Sequence, residues 1–243
     1  MCTVTLVPLK EKGTFVLTSN RDEAPQRETL PPQLYLEDGV RLVYPKDMEA
    51  GGTWLGISQR KRLLCLLNGG FSKHEREVPY RMSRGVVVKE LLLAIDFEAA
   101  VLKTDLQGVE PFTLVTVEWQ SDLRFFELVW DGRRRHFKRL PIRSHIWSSS
   151  PLYEPEVREK RKLMFKERFE KKMPGPSSLL EFHESAGIED PWNALVMDRE
   201  FVRTRSISQI GLQQGKIEFF YRDLQTHQES LMLLSDDVRP ISG

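Results

Sequence analysis

Through the first seventy positions, apolar residues fall in short runs rich in β-branched side chains, broken by polar and glycine-containing turns. Residues 2–9 read as a strand and 13–19 as its partner, with Lys10-Glu11-Lys12-Gly13 as the turn. Residues 24–47 read as a loop carrying two short strands, 33–37 and 40–44, turned at Asp38-Gly39. A second hairpin is expected over 53–58 and 63–67, across the basic turn Gln59-Arg60-Lys61-Arg62. The run Leu63-Leu64-Cys65-Leu66-Leu67 lacks alternation, which predicts a strand covered on both faces and makes Cys65 a small buried apolar residue.

A polar loop over 69–81 precedes helical spacing. Ser83 is a candidate N-cap for a helix to residue 95, and 97–106 predicts a second. Strands are expected at 112–119, 124–130, 134–139 and 142–148. A charged helix over 155–172 places Val157, Met164, Phe165 and Phe169 near one stripe, and Pro174-Gly175-Pro176 stops it. A helix at 177–185 and strands at 194–206, 207–212, 216–222 and 229–234 complete the chain. This order predicts an α+β fold with sheets inside and helix pairs outside. No repeat or linker stands out, and Pro174-Gly175-Pro176 reads as a helix-to-helix turn, so residues 1–243 are expected to form one domain.

Composition narrows the function classes. The 243 residues carry 36 Lys+Arg against 35 Asp+Glu, a net charge of +1, and 40% are hydrophobic, enough for a packed core. The balanced charge argues against a nucleic-acid partner and against disorder, and Arg133-Arg134-Arg135 is too short to argue otherwise. Two cysteines, Cys2 and Cys65, build neither a zinc site nor a disulfide framework. His74, His136, His145, His183 and His227 lack ligand spacing, so no metal is expected. Gly51-Gly52 is no phosphate loop, and no cofactor is implied. With no membrane-length apolar run, no secretory signal and no Asn-x-Ser/Thr acceptor, the expected compartment is the cytoplasm, without integral membrane contact.

The most informative residue is Cys2. Removal of Met1 would leave it a free α-amine, whose ordinary pKa of roughly 7.7–8.0 suits it to take the thiol proton near neutrality. The thiolate is then the competent nucleophile. Asn20-Arg21-Asp22-Glu23 follows directly on the second strand, and antiparallel pairing of strands one and two would bring it beside Cys2. Arg21 could hold the thiolate and Asp22 could orient the α-amine; a solvated turn with a surface Arg–Asp pair explains the same spacing. Gly51-Gly52-Thr53-Trp54-Leu55-Gly56 permits close backbone approach to a ligand or a tight bend. Asn68, twelve residues on, ends an apolar strand; its amide could stabilise an oxyanion, or it could simply begin an Asn-Gly turn.

Taken together, the N-terminal Cys, the Asn-Arg-Asp-Glu tetrad and Gly-Gly-Thr-Trp-Leu-Gly-Ile-Ser leading to Asn68 resemble the NRDE family, also called the transport and Golgi organisation protein family. The resemblance is strong over residues 1–70 and in register near Trp147-Ser148-Ser149-Ser150-Pro151 and Thr204-Arg205-Ser206. It implies an N-terminal nucleophile hydrolase fold, a four-layer αββα sandwich of two antiparallel sheets. It also implies similarity to the cysteine amidases that open penicillin V or deconjugate bile salts.

On that resemblance Cys2 is nucleophile and base, Arg21 and Asp22 position it, and Asn68 belongs to the oxyanion hole. Asn20, Trp54, Ser149 and Arg205 would bind substrate, with an apolar or aromatic acyl group if Trp54 and Phe71 line the pocket. This chain departs from the family in reading Ser148-Ser149 where relatives carry Ser-Asn. Two expectations follow: a hydrolase cleaving a non-peptide linear amide through a thioester, or a degenerate relative binding or trafficking an apolar lipid-like or haem-like cargo. The partner in either case is a small molecule, an amide or an apolar ligand.

Overall fold

The computed structural model describes residues 3–75 and 79–241. In chain order its elements are β1 (Thr3–Pro8), β2 (Phe15–Glu23), β3 (Thr29–Glu37), β4 (Val40–Asp47), β5 (Leu55–Ser58), β6 (Arg62–Asn68), α1 (Arg84–Leu93), α2 (Phe97–Lys103), β7 (Phe112–Glu118), β8 (Arg124–Trp130), β9 (Arg135–Leu140), β10 (His145–Ser148), α3 (Pro155–Phe169), α4 (Pro176–Ser185), β11 (Arg203–Gln213), β12 (Lys216–Asp223) and β13 (Glu229–Ser235). They form two compact units: one built from the chain up to Arg27 and from Arg143–Leu234, the other from Glu28–Ile142 and Ser235–Pro240.

The first unit holds a six-stranded sheet in the order β10-β1-β2-β11-β12-β13, with α3 and α4 on one face. Strands β1 and β2 pair antiparallel, Val7 opposite Val16 and Thr3 opposite Asn20, as the hairpin pattern predicts. Side chains alternate between faces along a strand, so Val7 and Val16 join Phe165, Leu179, Phe182 and Leu195 in the core beneath the helices. The rings of Phe165 and Phe182 meet edge-on at 5.5 Å. Such buried side chains stabilise the fold by roughly 1.5–3 kcal/mol each.

The second unit holds a seven-stranded antiparallel sheet in simple sequential order, β3 through β9. Asp38 and Gly39 both adopt positive φ, which makes the tight two-residue turn that joins β3 to β4. Helix α1 begins at Ser83, whose side chain accepts from the Gly85 amide at 3.2 Å. It rests so closely on the connection between β4 and β5 that a Cβ on Gly52 would stand 2.7 Å from the Gly85 carbonyl carbon. Gly52 therefore serves helix packing. Strand β6 is buried on both faces, and Arg62 at its start is wholly enclosed. The Arg62 guanidinium bonds Glu118 and donates to the carbonyls of Leu91 and Ala94, completing the end of α1.

Several elements differ from the sequence pattern, three of them with a plain local cause or consequence. Strand β3 is longer than expected because an edge strand tolerates Pro31-Pro32, where its register shifts. Strand β2 continues through the tetrad instead of ending before it. The expected strands 194–206 and 207–212 are replaced by one strand, β11, that starts at Arg203 after a turn containing Glu200 at positive φ. Among the described residues no helix is long and apolar enough to cross a membrane.

Candidate functional site

The tetrad lies inside a central strand. Asn20, Arg21 and Asp22 are at most 3% exposed, so a solvated turn is excluded. Asn20 and Asp22 escape the cost of burying polar groups because residues far away in sequence bond them. The two-residue period of the strand sends Asn20 and Asp22 toward the helices and Arg21 to the opposite face. Cys2 lies outside the described residues, and its neighbour Thr3 pairs with Asn20 on one side and Ser148 on the other.

On the helix-facing side, Asn20 donates to the carbonyls of His183 (3.0 Å) and Leu195 (2.7 Å). Its amide oxygen must therefore accept from His183 Nδ1. His183 Nε2 is left to accept from the Thr5 hydroxyl at 2.8 Å. Complete burial, reinforced by the charge of Arg161, lowers the His183 pKa to about 3, so the ring is neutral. Asp22 accepts from Tyr153 Oη at 2.5 Å and from Thr204 Oγ1 at 2.6 Å, one hydroxyl for each oxygen. Arg161 bonds the Thr3 hydroxyl and donates to the carbonyls of Asn193 (2.9 Å) and Ala194 (2.6 Å), while its guanidinium covers the Tyr153 ring at 3.7 Å.

The other face carries a second polar group. Arg21 pairs with Glu23 at 3.8 Å. Burial is the largest influence on the Tyr221 phenol and raises its pKa; a hydrogen bond with Ser206 and the charges of Arg21 and Arg205 act against it. Arg205 sits at the bulge of β11, where Thr204 pairs with Asp22 and Ser206 with Arg21. A bulge re-aims its extra side chain, and Arg205 donates to the carbonyls of Ala24 and Pro25. Ser149 is buried just beyond β10, its carbonyl accepting from the Tyr153 amide at 3.2 Å.

Trp54 and Asn68 belong to the second unit. Trp54 is buried ahead of β5, and its carbonyl accepts from the Leu66 amide at 2.7 Å. Asn68 closes β6 opposite Phe112, with Gly69 at positive φ behind it. Phe71 is exposed and stands edge-on to His136 at 4.9 Å.

The structure thus brings Asn20, Arg21, Asp22, Ser149 and Arg205 together in one unit. It adds Tyr153, Arg161, His183 and Thr204, which sequence inspection did not select. One signal for Arg161 was available: it stands four residues from both Val157 and Phe165, on the apolar stripe of α3, where a cation is out of place. Among the described residues, no three His, Cys, Asp or Glu side chains group as a metal site.

A variant of the conjugated bile acid hydrolase from Clostridium perfringens superposes with a TM-score of 0.56 at 10% identity, over 95% of this chain and 92% of that one. The Caenorhabditis elegans ortholog of N-acylethanolamine-hydrolyzing acid amidase gives 0.58 at 10% identity, over 86% and 92%. The shared architecture is the N-terminal nucleophile hydrolase fold. No curated protein matches the sequence. The family model described as Transport and Golgi organisation 2 matches residues 1–232. The chain belongs to the Transport and Golgi organisation 2 family.

Proposed function

We propose that the protein is a cysteine N-terminal nucleophile hydrolase that cleaves a non-peptide linear amide. The observation that carries this is the pairing of Thr3, the residue joined to Cys2, with Asn20 at the head of a buried Asn-Arg-Asp sequence. A fold shared with two hydrolases supports it. In our scheme the freed α-amine takes the Cys2 thiol proton, and the thiolate attacks the substrate carbonyl. The C–N bond breaks as the leaving amine takes the proton from the ammonium, which leaves a thioester. Water then attacks the thioester, gives its proton to the α-amine and releases the carboxylic acid and the thiol.

Arg21 supplies positive charge for the thiolate, and Asp22 orients the α-amine. Ser149 and Arg205 contribute to substrate binding. Asn20, whose amide already bonds His183 and Leu195, serves by holding β2 to the helix layer. The test is a panel of N-acyl amides assayed with the native protein and with Cys2→Ala. Hydrolysis by the native protein, a trapped acyl adduct on Cys2, and no turnover by the variant are expected. Turnover retained by Cys2→Ala would overturn the mechanism. No turnover by either, with an apolar ligand that co-purifies with both, would establish the cargo-binding role instead.

A further inference from the structure

We infer that Tyr153 and Arg161 are positioning residues of the N-terminal nucleophile, an inference that rests on the hydrolase reading above. Two groups flank the place where the chain enters the sheet. One is Thr3, bonded to Cys2; the other is Asp22, two residues along β2 from Thr3's partner Asn20. Each is gripped by one member of a single stacked pair. Arg161 bonds the Thr3 hydroxyl, and Tyr153 donates to Asp22. The guanidinium lies 3.7 Å from the centroid of the tyrosine ring, so displacing either one breaks a contact of the other. A second guanidinium, Arg199, lies 5.1 Å from that ring, donates to the Leu152 carbonyl and reinforces the assembly.

The energetics favour a positioning role over simple packing. Arg161 is 1% exposed, and among the described residues its hydrogen-bond partners are neutral oxygens. A buried cation without a carboxylate partner is costly, and an apolar side chain would fill the stripe of α3 at less cost. What the arginine adds is a fixed positive charge and a rigid grip on the residue next to Cys2. Positive charge there favours the thiolate and disfavours a proton on the α-amine. Tyr153 acts through Asp22: its hydroxyl fixes one carboxylate oxygen while Thr204 fixes the other, so the carboxylate cannot rotate.

The test is the pH profile of Cys2 alkylation, mapped by mass, in the native protein, Tyr153→Phe and Arg161→Gln. Buried Cys65 serves as the internal reporter, because its labelling marks loss of fold. Tyr153→Phe removes one oxygen and keeps the ring against Arg161; Arg161→Gln removes the charge. With Cys65 protected, the midpoint of Cys2 labelling should move upward by about one pH unit in each variant. Arg161→Lys should recover most of the shift. An unchanged midpoint in both variants, even with slower labelling, would overturn the positioning role and leave the hydrolase reading intact. Labelling of Cys65 in both variants would make the pair purely structural and would overturn it equally. A native Cys2 that titrates like a free thiol would instead defeat the hydrolase reading itself.

Discussion

Tyr153 and Asp22, 131 residues apart in sequence, meet through a 2.5 Å hydrogen bond in the interior of the first unit. The bond ties the turn ahead of α3 to the centre of the six-stranded sheet. It gives a buried carboxylate a neutral donor, and Thr204 gives the second. Asn20 and Asp22 of the tetrad are thus sustained by side chains from distant parts of the chain.

Thr204 makes that support measurable. Its hydroxyl donates to Asp22 and accepts from the Met197 amide at 2.9 Å. Thr204→Val keeps the shape and strands both groups, so urea denaturation should show a loss of about 1–3 kcal/mol. Thr204→Ser should recover most of it. Equal stability of the valine variant would contradict the network.

His183 makes stability depend on pH. Its folded pKa of about 3 lies below the ordinary 6.5, so below pH 6.5 the unfolded chain gains a proton that the folded one refuses. The stability contributed by the neutral ring is complete above pH 6.5 and is lost as the pH falls toward 3. The loss runs at about 1.4 kcal/mol per pH unit. In His183→Gln this slope should vanish, and the gap between native and variant stability should narrow between pH 6.5 and 4. Parallel curves would argue that the histidine titrates normally.

Much of the fold is legible in the sequence, because the hairpins are local. Lys10–Gly13 turns β1 into β2, and Asp38-Gly39 fixes the next pair. Ser83 caps α1 where its spacing predicts. The tetrad was legible as residues but not as structure. Asn20–Glu23 looks like a polar strand end, and the bonds that bury Asn20 and Asp22 come from α4, β11 and the turn ahead of α3. His183 had no ligand spacing because its partners are Thr5 and Asn20, reached only when α4 packs on the sheet. The single long β11 escaped notice because the bulge at Arg205 breaks its alternation.

Gly52 and Gly85 form a close backbone crossing in the second unit, where a Cβ on either glycine would stand within 3.0 Å of the other's neighbourhood. Backbone atoms cannot step aside as a side chain can. Gly52→Ala should lower stability by about 1–3 kcal/mol, and Gly85→Ala should do the same. Thermal melts of both variants check this; an unchanged Tm would mean that α1 can lift away without loss.

Arg62 and Glu118 form a buried ion pair with Nη2 to Oε1 at 2.8 Å. Burial lowers the Arg62 pKa, opposed by the Glu118 charge. Glu118→Gln leaves a buried cation without its counter-charge and should cost about 3–5 kcal/mol by denaturant titration. A loss under 1 kcal/mol, the usual size for an exposed pair, would show that water reaches the site.

The most direct measurement is the intact mass of the purified protein before and after brief exposure to a thiol alkylator near neutral pH. An activated N-terminal nucleophile predicts a mass lacking Met1 and rapid addition of one label, mapped to Cys2, with buried Cys65 untouched. Retention of Met1, or a Cys2 that labels no faster than a free thiol, would contradict the hydrolase mechanism.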